Sequence, residues 1–190
     1  TRRIPPLNDS GLGLESARPR ITLEGRFVVL ESREDLDPNA PSAHGRRQIY
    51  RFDRTTNAVL LMSRGPGANG AVASAHCFNP SVSDDGLRVA FETSAKLVPA
   101  DTNFFTDIYV RKLDTNPPDT VWISHRLTGG APQPNASSTQ AFISAYGGFV
   151  AFSSTASNLV AVDANGALRD VFRFEIDAAE DPLLVSVDNQ

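Results

Sequence analysis

The sequence predicts an all-β fold: a β-propeller-type array of three four-stranded antiparallel blades, forming a partial propeller or half of a ring. Three observations predict it. Glycines at 25, 86 and 147 recur with a period of 61 residues. The stretches 20–30, 81–91 and 142–152 stack on that period without gaps, keeping Ile21, Val82 and Ile143 in step, and likewise Val28, Val89 and Val150. Four short apolar strings then recur in each period in the same order. Self-similarity at a fixed spacing of this size marks a repeat architecture.

Each string in turn reads as a strand. The first two are separated by Ser83-Asp84-Asp85-Gly86 and its equivalents, where glycine supplies the positive φ of a tight hairpin. The third string is Gln48-Ile-Tyr-Arg-Phe52, matched by Asp107-Ile-Tyr-Val-Arg111 and Asp170-Val-Phe-Arg-Phe174. The fourth is Val59-Leu-Leu-Met-Ser63, matched by Val121-Trp-Ile-Ser124 and Leu184-Val-Ser186. All are short, rich in Val, Ile, Phe and Tyr, and bounded by Gly, Asp, Asn, Ser and Pro, so none supports a helix. The blades are set at 18–78, 79–139 and 140–190, with 1–17 as a tail carrying the outer strand of a preceding repeat. A sandwich would give no reason for the repeat, whereas radial packing of meanders does.

Composition narrows the function classes. The 190 residues are 41% hydrophobic and 21% charged, which excludes a disordered tail, a collagen-like rod and a coiled coil. There is no apolar run long enough for a membrane span. A net charge of -4 gives no electrostatic case for nucleic acid. Cys77 is the lone cysteine, so no intrachain disulfide can form, and a small buried hydrophobe is the favoured reading over a reactive thiol beside His76. Arginine outnumbers lysine heavily, the only lysines being Lys96 and Lys112. The start has neither an initiator Met nor the apolar segment of a leader, so the chain is expected to be a processed product or the ordered part of something longer.

The order of a short strand, a Gly turn, Val-Ala-Phe, Ser-Asn-Leu-Val, Asp-x-Asn and Asp-Ile/Val-Tyr/Phe resembles TolB-like, WD-like propeller repeats. The clearest matches are Phe149-Val-Ala-Phe-Ser-Ser-Thr-Ala-Ser-Asn-Leu-Val160 and Asp101-Thr-Asn-Phe-Phe-Thr-Asp-Ile-Tyr-Val110. The resemblance runs from about residue 17 to residue 187. It implies a propeller fold in a bacterial secreted or periplasmic setting, with roles as scaffold, docking surface or accessory domain of an enzyme. In the first repeat, Asp37-Pro-Asn-Ala-Pro-Ser-Ala-His-Gly stands where the others carry the Asp-x-Asn turn, so there the resemblance is confined to the strands.

Three periods nearly exhaust the chain, and propellers close with roughly 4 to 8 blades. Thr1-Arg2-Arg3-Ile4 resembles the fourth string of a blade, so the chain starts and stops at one phase of the repeat. It is therefore expected to be a cut from a longer chain, a half-ring that pairs with a copy of itself, or an open arc covered by partners. Each leaves apolar end faces to be covered, so the expected partners are other blades of the same or a longer chain, or a protein.

Alternating strand direction puts the second-to-third loops and the long blade-to-blade linkers, 64–79 and 125–139, on one side. That side is the expected interaction face, the alternative being that the linkers are packing filler. On it lie Asp101, Asn103 and Asp107, and again Asp163, Asn165 and Asp170, hard oxygen ligands that could hold Ca2+. Each loop offers only two carboxylates, and the favoured reading is that these side chains cap their own turns. No other cofactor is expected. His44, His76 and His125 lack metal-ligand spacing, Gly11-Leu-Gly13 lacks the surroundings of a phosphate loop, and no G-x-S-x-G elbow exists. Asn8-Asp-Ser10 and Asn135-Ala-Ser137 match the glycosylation sequon but matter only in a eukaryotic secretory setting. Trp122, with Leu61 and Val185 as its equivalents, and the recurring Tyr50, Tyr109 and Phe172 are expected to pack blades together. The reading is a non-enzymatic binding or structural scaffold of a periplasmic or extracellular assembly. The alternatives are an accessory propeller of a larger hydrolase and a calcium-stabilised surface protein.

Overall fold

The computed structural model describes residues 15–129, 133–166 and 168–186. Among the described residues, twelve strands form three four-stranded antiparallel meanders. The first contains β1 (Ser16–Ile21), β2 (Phe27–Ser32), β3 (Gln48–Asp53) and β4 (Val59–Leu61). The second contains β5 (Cys77–Val82), β6 (Arg88–Thr93), β7 (Asp107–Lys112) and β8 (Asp119–Trp122). The third contains β9 (Ser138–Ile143), β10 (Phe149–Ser154), β11 (Asp170–Glu175) and β12 (Leu183–Leu184). The sheets are the three expected blades of a partial propeller, and the hairpin glycines Gly25, Gly86 and Gly147 all have positive φ, between 69° and 72°. Thr1-Arg2-Arg3-Ile4, Asn8-Asp-Ser10 and Gly11-Leu-Gly13 lie outside the described residues.

The strands agree with their composition. β6 and β7 read Arg-Val-Ala-Phe-Glu-Thr and Asp-Ile-Tyr-Val-Arg-Lys, β-formers that bury both faces of the middle blade. The core is correspondingly split between the two blade interfaces. One cluster joins Val29, Ile49 and Met62 of the first blade to Val89, Phe91 and Tyr109 of the second. The other joins Ala90, Ile108, Val110 and Ile123 of the second to Ile143, Val150, Phe152 and Phe172 of the third. Burying each such side chain contributes about 1.5–3 kcal/mol, and it can do so only against a neighbouring blade.

Two features were placed differently by the sequence. The first strand of every blade starts at 16, 77 and 138, two residues before the boundaries at 18, 79 and 140. The reason is a β-bulge: Arg18, Asn79 and Gln140 occupy the left-handed region with φ between 49° and 59°, and the register shifts there. The bulge interrupts alternation, so the apolar pattern starts only after it. The second concerns Trp122, which pairs with Tyr109 as Leu61 pairs with Tyr50. The third member of that set is Leu184, opposite Phe172, and Val185 faces outward.

Two kinds of contact fasten neighbouring blades. A buried glutamate on the second strand accepts the backbone N–H of the next blade's bulge residue: Glu31 from Asn79 and Glu92 from Gln140, both at 2.6 Å. A guanidinium also donates to the carbonyl of the next hairpin glycine. Arg51 reaches Gly86 at 2.7 Å, and Arg88 reaches Gly147 at 3.0 Å.

Candidate functional site

The loops between second and third strands are built on one local device. In the middle blade Asp101 accepts the N–H of Asn103 at 3.1 Å, and Asn103 accepts that of Phe105 at 2.6 Å, two successive Asx turns. Asn103 Nδ2 donates to Asp107 at 2.8 Å, Ser124 Oγ donates to the other oxygen of Asp107 at 2.5 Å, and the Tyr109 hydroxyl donates to Asp101. The third blade repeats this with Asp163 accepting from the N–H groups of Asn165 and Gly166, and Asn165 and Ser186 both donating to Asp170. The six residues singled out as oxygen ligands thus meet in two groups of three, and in each group they cap turns and tie the loop to its own blade. Among the described residues no group of three or more His, Cys, Asp or Glu side chains is arranged to hold a metal ion.

The first blade corrects one expectation. Asp37-Pro38-Asn39 is itself an Asp-x-Asn turn: Asp37 accepts the Asn39 N–H at 2.9 Å, and its second oxygen accepts the N–H of Leu61. The prolines around it disguise the motif. What differs is the next member, where Gln48 replaces the aspartate, accepts from Ser63 Oγ at 2.6 Å and donates to the carbonyls of Ala73 and Ala75 in the linker.

Burial sets the electrostatics here. Asp107 is buried, and desolvation pushes its carboxyl up to about 6 against the opposing pull of hydrogen bonds from Ser124 and Asn103. Burial raises Tyr109 as well, reinforced by its hydrogen bond to Asp101. His125 stacks on Trp122 with ring centroids 4.4 Å apart, and burial lowers its pKa. Burial also pushes the Cys77 thiol up to about 12, consistent with a packing side chain.

These turns display apolar side chains. Phe104 is 85% exposed and Phe105 41%, at the tip held by Asp101 and Asn103, with the Lys96 ammonium 3.8 Å from the Phe104 ring centroid. Val162 and Leu168 are exposed on the matching loop of the third blade. The loops touch the linkers as expected: the Thr102 N–H donates to Gln133 Oε1 at 3.0 Å, and Arg47 N–H donates to His76 Nδ1. The start of the first linker, however, is packing. Arg111 Nη1 and Nη2 donate to the carbonyls of Gly65 and Gly67, and Thr120 Oγ1 to that of Arg64.

A second concavity went unseen in the sequence. A cleft of about 440 Å³ lies where the first strands converge, lined by Arg18, Arg20, Asn79, Gln140 and Phe142 among others. Its signal was present in the 61-residue spacing of the three bulge residues, one register step outside the apolar repeat.

No protein-family model matches the chain. No curated protein matches it. Among solved structures it is similar to the tricorn protease over 92% of its own length, with 13% identity and a TM-score of 0.54, covering 17% of that chain. It is also similar to a putative TolB from Agrobacterium tumefaciens over 88% of its length, with 15% identity and a TM-score of 0.49, covering 45% of that chain. The chain therefore spans less than half the length of either. The likeness shows the fold, an array of propeller blades.

Proposed function

We propose that this chain is a non-catalytic docking module whose long-loop face takes an apolar peptide or protein segment. One observation carries the reading: Phe104 and Phe105 stand out from a turn that the Asp101 and Asn103 side chains hold in place. Pre-set aromatic side chains on a rigid support make low-entropy anchors, and conserving their position needs no ligand present. Val162 and Leu168 extend the apolar character to the neighbouring loop. A periplasmic or extracellular setting belongs to the proposal, supported by the repeat resemblance, the scarcity of lysine and the Asn-, Ser-, Thr- and Gly-rich loops.

The test is panning of a phage-displayed random peptide library on the purified chain. Selected peptides should be rich in apolar residues and lose at least about tenfold in affinity, roughly 1.4 kcal/mol, on Phe104→Asp or Phe105→Asp. Leu23→Asp on the hairpin side should leave binding unchanged. Binders that ignore both phenylalanines would sink the reading. A second reading, an accessory propeller of a larger hydrolase, rests on the similarity to a protease of which this chain matches a small part.

A further inference from the structure

Two cations flank the exposed phenylalanines of the loop face, one from each of two blades. Lys96 holds its ammonium 3.8 Å from the Phe104 ring centroid and donates to the Thr102 carbonyl at 2.9 Å. Arg169 follows the exposed Leu168 on the third blade and donates to Thr139 Oγ1 at 3.0 Å. The backbone brings this second cation to the same tip. The Ser138 N–H, next to Thr139, donates at 2.8 Å to the carbonyl of Thr106, the residue after Phe105. Lys96 and Arg169 are both exposed.

Their charge is not offset nearby. Arg26, Arg47, Arg88 and Arg126 each have a carboxylate oxygen at 3.1 Å or closer, whereas among the described residues neither Lys96 nor Arg169 forms an ion pair. The acids of the same two loops are turned to other work. Asp101, Asp107 and Asp170 are buried, and Asp163 accepts the N–H groups of Asn165 and Gly166. Donor capacity is left over: an ammonium has three N–H groups and a guanidinium five, and one of each is used in a hydrogen bond. The patch is therefore cationic on a chain whose net charge is -4, so it does not follow from overall composition.

We infer that the segment this face takes is acidic as well as apolar, its side chains packing on Phe104, Phe105 and Leu168 while its carboxylates meet Lys96 and Arg169. The inference rests on the docking reading above and adds the charge of the partner. The physical reason is desolvation. A neutral apolar segment seated on the phenylalanines would strip water from two cations and return nothing to them. Carboxylates placed beside the apolar anchors replace that water with charge-assisted hydrogen bonds, and their field also speeds encounter.

The experiment uses three phage libraries panned on the immobilised 190-residue chain. Their apolar positions are randomised alike, and their flanking positions are Asp/Glu, Asn/Gln or Lys/Arg. At low salt the acidic library should be retained at least about fivefold more than the neutral one, as two partly exposed ion pairs allow, and the basic library less than either. High salt should erase the difference. Lys96→Gln combined with Arg169→Gln should bring the acidic library down to the neutral level and leave the neutral library unchanged. Both positions are exposed, so the variant should melt with the parent. Equal retention of acidic and neutral libraries, both lost on Phe104→Asp, overturns the acidic partner and leaves docking standing. Retention indifferent to Phe104→Asp overturns both readings. An acidic preference that survives the double variant places the contact elsewhere and also overturns the inference. So does cosedimentation with phosphatidylserine vesicles in the absence of any acidic preference, which would make the tip a lipid contact instead.

Discussion

Replacing Glu92 tests whether the blade joints rest on single buried carboxylates. Its Oε1 accepts the Gln140 N–H at 2.6 Å and the Asn79 side-chain amide at 2.8 Å, and among the described residues it has no cationic partner. Glu92→Ala removes two hydrogen bonds to a charged group, each about 1.5–3 kcal/mol, while relieving the cost of burying that charge. It also leaves the Gln140 amide, in a bulge with φ of 59°, without its acceptor, a further penalty of about 1–3 kcal/mol. The net expectation is about 3 kcal/mol, which for a chain of this size lowers the melting midpoint by about 6–12 °C. Glu92→Gln keeps an acceptor and should cost about 1 kcal/mol. Hydrogen exchange supplies the local readout: the Gln140 and Asn79 amides should exchange faster in Glu92→Ala, while the Gly25 hairpin stays unchanged. An alanine variant that melts within about 2 °C of the parent, with Gln140 protected as before, would refute the claim that this carboxylate fastens the joint.

Two glycines with nearly the same φ should respond differently to alanine. Gly86→Ala meets the Phe27 ring at 2.2 Å and should destabilise by about 3 kcal/mol, whereas Gly45→Ala meets nothing within 4 Å and should cost about 1 kcal/mol, both read by chemical denaturation. Cys77 should resist a thiol reagent in the folded chain and react fully once it is denatured, since it is buried and its pKa lies near 12. Millimolar Ca2+ or a chelator should move the melting midpoint by less than about 1 °C, because a site that binds the folded state would raise it in proportion to occupancy. Asp107 should give a pH signature. Its folded pKa of about 6 exceeds the ordinary 3.8, so the folded state binds the proton more tightly. Its contribution is fully present below about pH 4 and is lost as pH rises through 6, on the order of 3 kcal/mol. Asp181, held down to about 2 by Thr128 and Arg126 despite burial, acts in the opposite sense, but only below about pH 4. Stability measured from pH 4 to 7 should therefore fall, and Asp107→Asn should flatten that fall.

The strands and their order were legible because blade packing writes a period-two pattern into Val, Ile and Phe at fixed spacing, and the hairpin glycines mark each turn. Three things were hidden for separate reasons. The bulges at Arg18, Asn79 and Gln140 carry no shared side chain, since what they share is a backbone conformation held by a glutamate 48 residues away in two cases. The Asx turn of the first blade was masked by Pro38 and Pro41, although Asp37 and Asn39 were in plain view. Phe104 and Phe105 are of the same residue type as the buried Phe91 and Phe152, and nothing in their spacing marks them as exposed. Only the Asx turns, which direct that tip outward, separate them from Phe91 or Phe152.

The residue that opens each third strand shows how the loop face is made stiff. In the second and third blades it is an aspartate, because both the loop asparagine and the following serine donate to it, and a carboxylate is an acceptor only. In the first blade the linker turns two carbonyls, of Ala73 and Ala75, toward the same place. A carboxylate there would face acceptors, so the position needs a donor as well, and Gln48 supplies both kinds of group. The substitution is thus dictated by which segment lies against the strand, the blade's own loop or the linker to the next. Its consequence is functional. Where aspartate stands, the loop bearing Phe104 and Phe105, or Val162 and Leu168, is tied to its own blade. Where glutamine stands, its side chain holds the linker while Asp37 alone ties the loop to Leu61 of its own blade, and the first blade's loop presents no large apolar side chain at its tip. Exchanging Asp107 for glutamine should then loosen the Phe104 tip without unfolding the blade, and weaken any peptide that uses it.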